Sequence, residues 1–213
     1  DARLRRFGPR ASSVFWKNEL FQSIRYDLLS QILSQNKLDA IESIHDFGCG
    51  YGAFFTYLKN RDSLKNTKFY GTDISKDMLK SIRHNFNDER IKLFCSSKAL
   101  ITADYTFASG TYNMKLNESS KNWKSYVETS LLQLWSKTRK GLAFNMLRDN
   151  TETQYNGLYY INGEELLSFC KKHLSNETSL QTHKILPDWT FLVFRESSNK
   201  TPPLKSLSTQ INQ

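Results

Sequence analysis

Ile44-His45-Asp46-Phe47-Gly48-Cys49-Gly50-Tyr51-Gly52-Ala53 reads as the end of a strand, a glycine-rich turn and the start of a helix that Phe54, Phe55, Tyr57 and Leu58 continue. Glycines at alternate positions let the backbone turn tightly and leave no Cβ between it and a ligand. The helix beyond offers free N–H groups and the positive end of its dipole, so an anionic or carboxylate-bearing cofactor suits the turn. A second strand, Phe69-Tyr70-Gly71-Thr72-Asp73-Ile74, then ends in an acid. A glycine turn followed by an acid at the next strand's tip is how an open α/β sheet grips a nucleoside.

The elements on either side alternate between helix and strand. Leu20, Phe21, Ile24, Leu28, Leu29, Ile32 and Leu33 form one apolar stripe and predict a helix from about Asn18, with Asn36 and Asp39 punctuating before the first strand. Ser75 is a candidate N-cap for a helix over 76–86, its inner face Met78, Leu79, Ile82 and Phe86. Strands over 91–95 and 104–108 follow. Trp123, Tyr126, Val127, Leu131, Leu134 and Trp135 then mark a long helix ending near Lys140-Gly141, ahead of a strand over 142–147. The polar stretch 148–157 reads as a loop and 163–173 as a helix. Strands over 179–185 and 189–195 form a hairpin through Leu186-Pro187-Asp188. This order predicts an α/β fold, a three-layer α/β/α sandwich around a mostly parallel seven-stranded sheet with an antiparallel C-terminal hairpin.

With 213 residues, one domain is expected, spanning 18–195 between a basic N-terminal arm or lid (1–17) and a polar tail (196–213) that has the composition of a disordered segment. Hydrophobic residues at 38%, with 14 Phe, 10 Tyr and 4 Trp, argue for a packed core. No apolar run approaches the roughly 18 residues that span a bilayer, and the charged first residues lack an apolar signal segment. Cys49, Cys95 and Cys170 have no C-x-x-C or zinc spacing, and no His, Asp and Glu cluster has ligand spacing. A soluble, cytoplasmic protein with reduced thiols, no metal and no membrane partner is therefore expected. The net charge of +9, concentrated partly in Arg3, Arg5, Arg6, Arg10 and Lys17, suits either contact with nucleic acid, phosphate or an anionic sugar, or a solvated basic surface.

Gly48-x-Gly50-x-x-Ala53 also fits a dinucleotide fingerprint, so the glycines alone do not choose a cofactor. Three features do: an acid, Asp46, two residues before Gly48; a complete amphipathic helix before the first strand; and a closing strand pair soon after the fifth strand. Together they resemble the class I S-adenosylmethionine-dependent methyltransferases, whose fold is Rossmann-like. Asp46-Phe47-Gly48-Cys49-Gly50-Tyr51-Gly52 looks like that family's first motif and Asp73 like its ribose-binding acid, over roughly 15–195. Gln22-x-x-Arg25-Tyr26, Ala108-Ser109-Gly110-Thr111-Tyr112-Asn113, Phe144-Asn145-Met146-Leu147 and Leu158-Tyr159-Tyr160 are similar to a group of small bacterial methyltransferases.

The resemblance implies an enzyme with S-adenosylmethionine as cofactor. Its binding positions would be Asp46 near the ammonium group, Phe47, Gly48, Cys49 and Gly50 along the methionine moiety, and Asp73 on the ribose hydroxyls. Ile74 and Met78 would border the adenine, unless they are ordinary core. Ser96 and Ser97 stand where the family often has an acid for the adenine amine. Ala108 and Ser109 would lie where cofactor and acceptor meet, and Arg25 would pair with the cofactor carboxylate or form a surface ion pair.

Methyl transfer asks little of side chains beyond an in-line approach, and a base is needed only for a hydroxyl or protonated amine acceptor. His183 is the candidate base by residue type, with Tyr112 second, while His45 and His173 read as structural. The expected acceptor is a small molecule such as a sugar or natural-product intermediate, and the basic arm favours an anionic one. The alternatives are an RNA or DNA methyltransferase, and an NAD(P)-dependent oxidoreductase or non-catalytic nucleotide-binding module. Ser109-Gly110-Thr111-Tyr112 lacks the Asn/Asp-Pro-Pro-Tyr/Phe of base-amine methylation, and Leu116, not Lys, follows Tyr112 at the dehydrogenase spacing.

Overall fold

The computed structural model describes residue 8 and residues 19–34 and 40–196. The expected arm over 1–17 and tail over 196–213 (Gly8 and Glu196 apart), and the punctuation at Asn36 and Asp39, lie outside the described residues.

Helix α1 (Glu19–Ser30) continues into a 3-10 turn (Gln31–Ser34) before β1 (Ser43–Phe47). There follow α2 (Ala53–Leu58), β2 (Lys68–Asp73), α3 (Lys76–Asn85), β3 (Ile91–Cys95), β4 (Ala103–Ser109), α4 (Ser120–Ser136) and β5 (Thr138–Arg148). The chain closes with a short β6 (Tyr160–Ile161), α5 (Gly163–His173), β7 (Thr178–Thr182) and β8 (Asp188–Phe194).

The sheet runs β3-β2-β1-β4-β5-β8-β7, with β6 paired to β5 off that path. Strands β1 to β5 are mutually parallel where they pair, and β8 is antiparallel to both β5 and β7. The expected α/β/α sandwich and C-terminal hairpin are both present. One strand was missed: β6 is two residues long, too short for any periodicity to reveal.

Both faces of the sheet are covered, which is why the central strands read as near-continuous apolar runs. On one face Tyr26, Leu29 and Ile32 of the N-terminal helical segment and Phe54, Phe55 and Leu58 of α2 pack on Ile44, Tyr105, Phe107, Ala143 and Leu192. On the other, Val127, Leu131 and Leu134 of α4 and Leu166 and Cys170 of α5 pack on Phe144, Met146, Phe191 and Val193. The even and odd residues of β5 thus serve opposite cores, as a pleated strand requires.

Two boundaries differ from the sequence reading. Helix α4 ends at Ser136, because Thr138 turns its hydroxyl back to Leu134 O (2.8 Å) and the Arg195 guanidinium takes the Trp135 and Thr138 carbonyls. Residues Thr138 to Gly141 therefore begin β5 instead of ending the helix. The hairpin connection is also longer than expected, since Leu186 N–H donates to His183 O (3.1 Å) and closes a turn before β8. Ser75 caps α3 as anticipated, its hydroxyl accepting from Met78 N–H at 3.1 Å.

Strand order reverses between β1 and β4, whose carboxyl ends open on the same edge of the sheet. That switch point is where open α/β sheets leave a crevice for ligands. Among the described residues no helix is long and apolar enough to cross a membrane.

Candidate active site

Three glycines after β1, Gly48, Gly50 and Gly52, all have positive φ, at 77°, 52° and 85°. Gly48 is confined twice over, because a Cβ there would fall 2.5 Å from Thr111 Oγ1. That hydroxyl is fixed in place, donating to Phe47 O at 2.7 Å. Thr72 O of the neighbouring strand accepts from Gly48 N–H (2.7 Å) and Cys49 N–H (3.1 Å), which holds the turn against the sheet.

Asp73 ends β2 beside this turn. Its Oδ2 accepts from Gly50 N–H at 2.9 Å and its Oδ1 from Ser75 N–H at 2.8 Å. Two backbone donors therefore aim the carboxylate, and each oxygen keeps a lone pair for a further donor. Asp46 differs. No described residue is hydrogen-bonded to its carboxylate, and although partly exposed the residue is densely surrounded by protein atoms. Burial, with the charge of Asp73, pushes its carboxyl up to about 7. A cation at this point would favour the ionised form.

Helix α1 lies over the turn. Tyr51 donates its hydroxyl to Gln22 Oε1 at 3.2 Å, while Gln22 Nε2 is buried with no acceptor. Tyr26 is buried here too, and burial and the charge of Asp46 hold its hydroxyl well above the usual phenol range. Met78 is buried, whereas Ile74 is 76% exposed on the rim beyond Asp73. Ser97 is exposed. Ser96 closes its own turn, donating to Lys98 O (2.9 Å) and accepting from Lys98 N–H (3.0 Å).

At the tip of β4, Ala108 is fully buried and Ser109 Oγ is buried without a hydrogen-bond partner. Gly110 N–H then donates to Asn145 Oδ1 (3.0 Å), and Asn145 Nδ2 donates to Asp188 Oδ1 (3.2 Å). The other Asp188 oxygen receives Arg25 Nε at 2.7 Å and Arg25 Nη2 at 2.6 Å. This run from the β4 tip through β5 and β8 to α1 was not anticipated. Its one signal was a lone Asn inside the apolar stretch Phe144-Asn145-Met146-Leu147.

The loops after β4 and β5 are stitched together. Met114 and Leu158 form an antiparallel bridge, Leu116 N–H donates to Gly157 O (2.9 Å), and Tyr159 N–H donates to Asn113 O (2.9 Å). Leu116 has a φ of 52°, the one described non-glycine residue with positive φ. Asn113 Oδ1 also accepts from Leu147 N–H at 3.2 Å.

Three expected roles need correcting. Tyr112 is fully buried, and its hydroxyl bonds to Ser130 of α4 at 2.8 Å. Burial raises its pKa far beyond a useful base, and it faces core rather than crevice. Arg25 is neither on the surface nor free for a cofactor carboxylate, since Asp188 and Phe21 O take its donors within the fold. His183 lies in the turn after β7, its Nδ1 accepting from Ile185 N–H at 3.4 Å. It shares the ligand-bearing edge of the sheet, but β7 is three strands from β4, about 14 Å at the usual strand spacing. His45 is structural as expected, bonded to Thr72 Oγ1 at 2.8 Å and lowered by burial to about 4.

Known proteins resemble this chain in sequence and in fold. A family profile described as a methyltransferase domain matches residues 44–128. The Rv1506c protein of Mycobacterium tuberculosis H37Rv, a provisionally named methyltransferase, is 31% identical over 158 residues, which cover 73% of this chain and 94% of that protein. Magnesium protoporphyrin IX methyltransferase of Synechocystis PCC 6803, crystallised with bound S-adenosylhomocysteine (SAH), superposes with a TM-score of 0.63 at 11% identity, over 82% of this chain and 83% of that one. The CurJ carbon methyltransferase gives 0.66 at 10% identity, over 92% of this chain and 61% of that one. At such identities the last two bear on the fold alone.

Proposed function

We propose that this chain, which belongs to the class I S-adenosylmethionine-dependent methyltransferases, transfers its methyl group to a small-molecule acceptor. Family membership sets the oxidoreductase reading aside. When bound, the cofactor supplies an electrophilic methyl group on a sulfonium, so the residues around it need only bind, orient and exclude water.

The residues fit that cofactor. Asp73, aimed by Gly50 and Ser75 N–H, would accept both ribose hydroxyls. Asp46, with no described hydrogen-bond partner, would meet the ammonium, and the methionine moiety would lie along the Phe47 to Gly50 backbone where Thr111 leaves no room for a Cβ. Ile74 and Met78 would border the adenine. Ser97 is free to reach its amine, and Ser96 could do so only by leaving its own turn. Ala108 and Ser109 end the strand at which acceptor and methyl group would meet.

The observation that carries the small-molecule reading is the burial of Tyr112. An enzyme that works on a nucleobase takes single-stranded substrate or flips the base, and in either case stacks it between aromatic or apolar side chains. Here the aromatic residue after β4 is turned wholly into the core against Ser130, so the tip presents Ser109, Gly110 and Thr111 instead. The net charge of +9 is the feature that favours the RNA or DNA alternative.

Incubating cell extract with methyl-tritiated S-adenosylmethionine and the protein separates the two readings. Label is expected in low-mass, nuclease-resistant material. Label in nuclease-sensitive polymer, with a steep loss of binding as salt rises, overturns the small-molecule assignment.

A further inference from the structure

Arg148 closes β5 at the ligand-bearing edge, three residues beyond the Asn145 that anchors Gly110. Its Nε is buried and has no hydrogen-bond partner, and its guanidinium lies 5.8 Å from the centre of the Trp189 ring. Trp189 Nε1 is likewise buried with no acceptor. Buried donors in native folds are nearly always paired, so two unpartnered donors on neighbouring side chains mark a place that an acceptor would complete.

The nearby charges do not supply one. Asp188 feels the charge of Arg148, yet its Oδ2 is taken by Arg25 and its Oδ1 by Asn145. Asp188 is thus paired with Arg25, and no ion pair joins it to Arg148. Arg195 provides the internal contrast. It too lies over a tryptophan, 3.9 Å from the Trp135 ring centre, but its Nε and Nη2 are satisfied by the Thr138 and Trp135 carbonyls. Arg195 is a structural cap, and Arg148 has no such employment.

Position says what kind of ligand would complete it. The cofactor-binding carboxylates stand on β1 and β2, whereas β5 lies on the far side of β4 from both. We propose that Arg148 is a specificity-determining residue of the acceptor site, and that it takes a carboxylate or phosphate group carried by the acceptor. The guanidinium fork matches the oxygens of either group, and a cation–π contact with Trp189 holds it at the strand end. The inference rests on the small-molecule reading above and narrows it to anionic acceptors.

The test uses the full chain saturated with SAH, and 1H–15N spectra that resolve arginine Nε–H and tryptophan Nε1–H. Inorganic phosphate and sodium acetate are titrated separately at constant ionic strength, so the two arms separate phosphate from carboxylate recognition. The Arg148 Nε–H resonance is expected to move saturably in at least one arm while that of Arg195 stays still. Arg148→Gln is expected to weaken this binding by about tenfold or more while holding SAH within about twofold of wild type. No saturable movement in either arm overturns the proposal, as does equal anion binding by Arg148→Gln. A large loss of SAH affinity in that variant also overturns it, because Arg148 would then serve the cofactor. If Arg148→Gln does not fold, the wild-type titration decides alone. A wild-type chain that takes no SAH fails at the underlying reading, which the anion titration by itself cannot do.

Discussion

At the glycine turn the backbone and Asp73 are tied down in advance, with the Asp46 carboxylate and Gln22 Nε2 left over, whereas at the tips of β4, β5 and β8 three buried polar atoms are left over together. Asp73 is held by Gly50 and Ser75 N–H, and the turn by Thr72 O. Across β4, Ser109 Oγ, Arg148 Nε and Trp189 Nε1 are buried with nothing bonded to them. If the first region holds the cofactor as proposed, its fixed turn and aimed Asp73 leave little ordering to be done on binding. The second keeps unsatisfied chemistry that a particular acceptor could complete.

The contrast makes the two halves separable by mutation. The largest effect is expected from Asp188→Ala, which strands a buried Arg25 and unpairs Asn145. Stability in urea should fall by about 3–5 kcal/mol, while folded protein still binds SAH near normally. A loss of cofactor affinity as large as the loss of stability would merge the halves. Asp73→Ala should do the reverse, weakening SAH by about 100-fold in calorimetry, or about 3 kcal/mol. Affinity retained within a few-fold would remove Asp73 from the ribose.

Asp46 gives a pH signature to the cofactor half alone. Its folded pKa, about 7, lies above the ordinary 3.8, so folding takes up a proton over that interval. Without cofactor, stability should therefore fall as pH rises from about 4 to 7, by up to about 4 kcal/mol, and Asp46→Asn should flatten that part of the curve. The SAH ammonium favours the ionised carboxylate, so wild-type affinity should rise by up to about tenfold between pH 6 and 8. A flat affinity profile would place the ammonium elsewhere. The smallest effect belongs to Tyr112→Phe, which loses the bond to Ser130 and about 1 kcal/mol of stability with kcat unchanged. A collapse of kcat in a stably folded variant would restore Tyr112 to the chemistry.

Punctuation made the cofactor half legible. Glycines with positive φ and an acid at a strand tip are local necessities, and local necessities survive in sequence. The limits of β3 and α5 were readable for the same reason, bounded as they are by turns and caps. The acceptor half depends on partners far apart in the chain. Nothing near Tyr112 shows that its hydroxyl will meet Ser130, and nothing near Arg25 shows that Asp188 will face it across the fold. A polar residue at the end of a strand looks the same whether it points to a ligand or a buried partner. Asn145 was the legible exception, because an amide amid apolar residues of a central strand must be paired.

The stitching of the loops after β4 and β5 has a practical corollary for anyone wishing to retarget this enzyme. The bridge between Met114 and Leu158, with the bonds from Leu116 to Gly157 and Tyr159 to Asn113, makes the two loops a single cassette. Grafting one loop from another methyltransferase would leave its counterpart with unmatched backbone edges and Leu116 holding a costly conformation for no partner. Libraries that exchange residues 110–118 and 149–159 together are the natural unit of redesign, and recombination between those segments is the crossover to avoid.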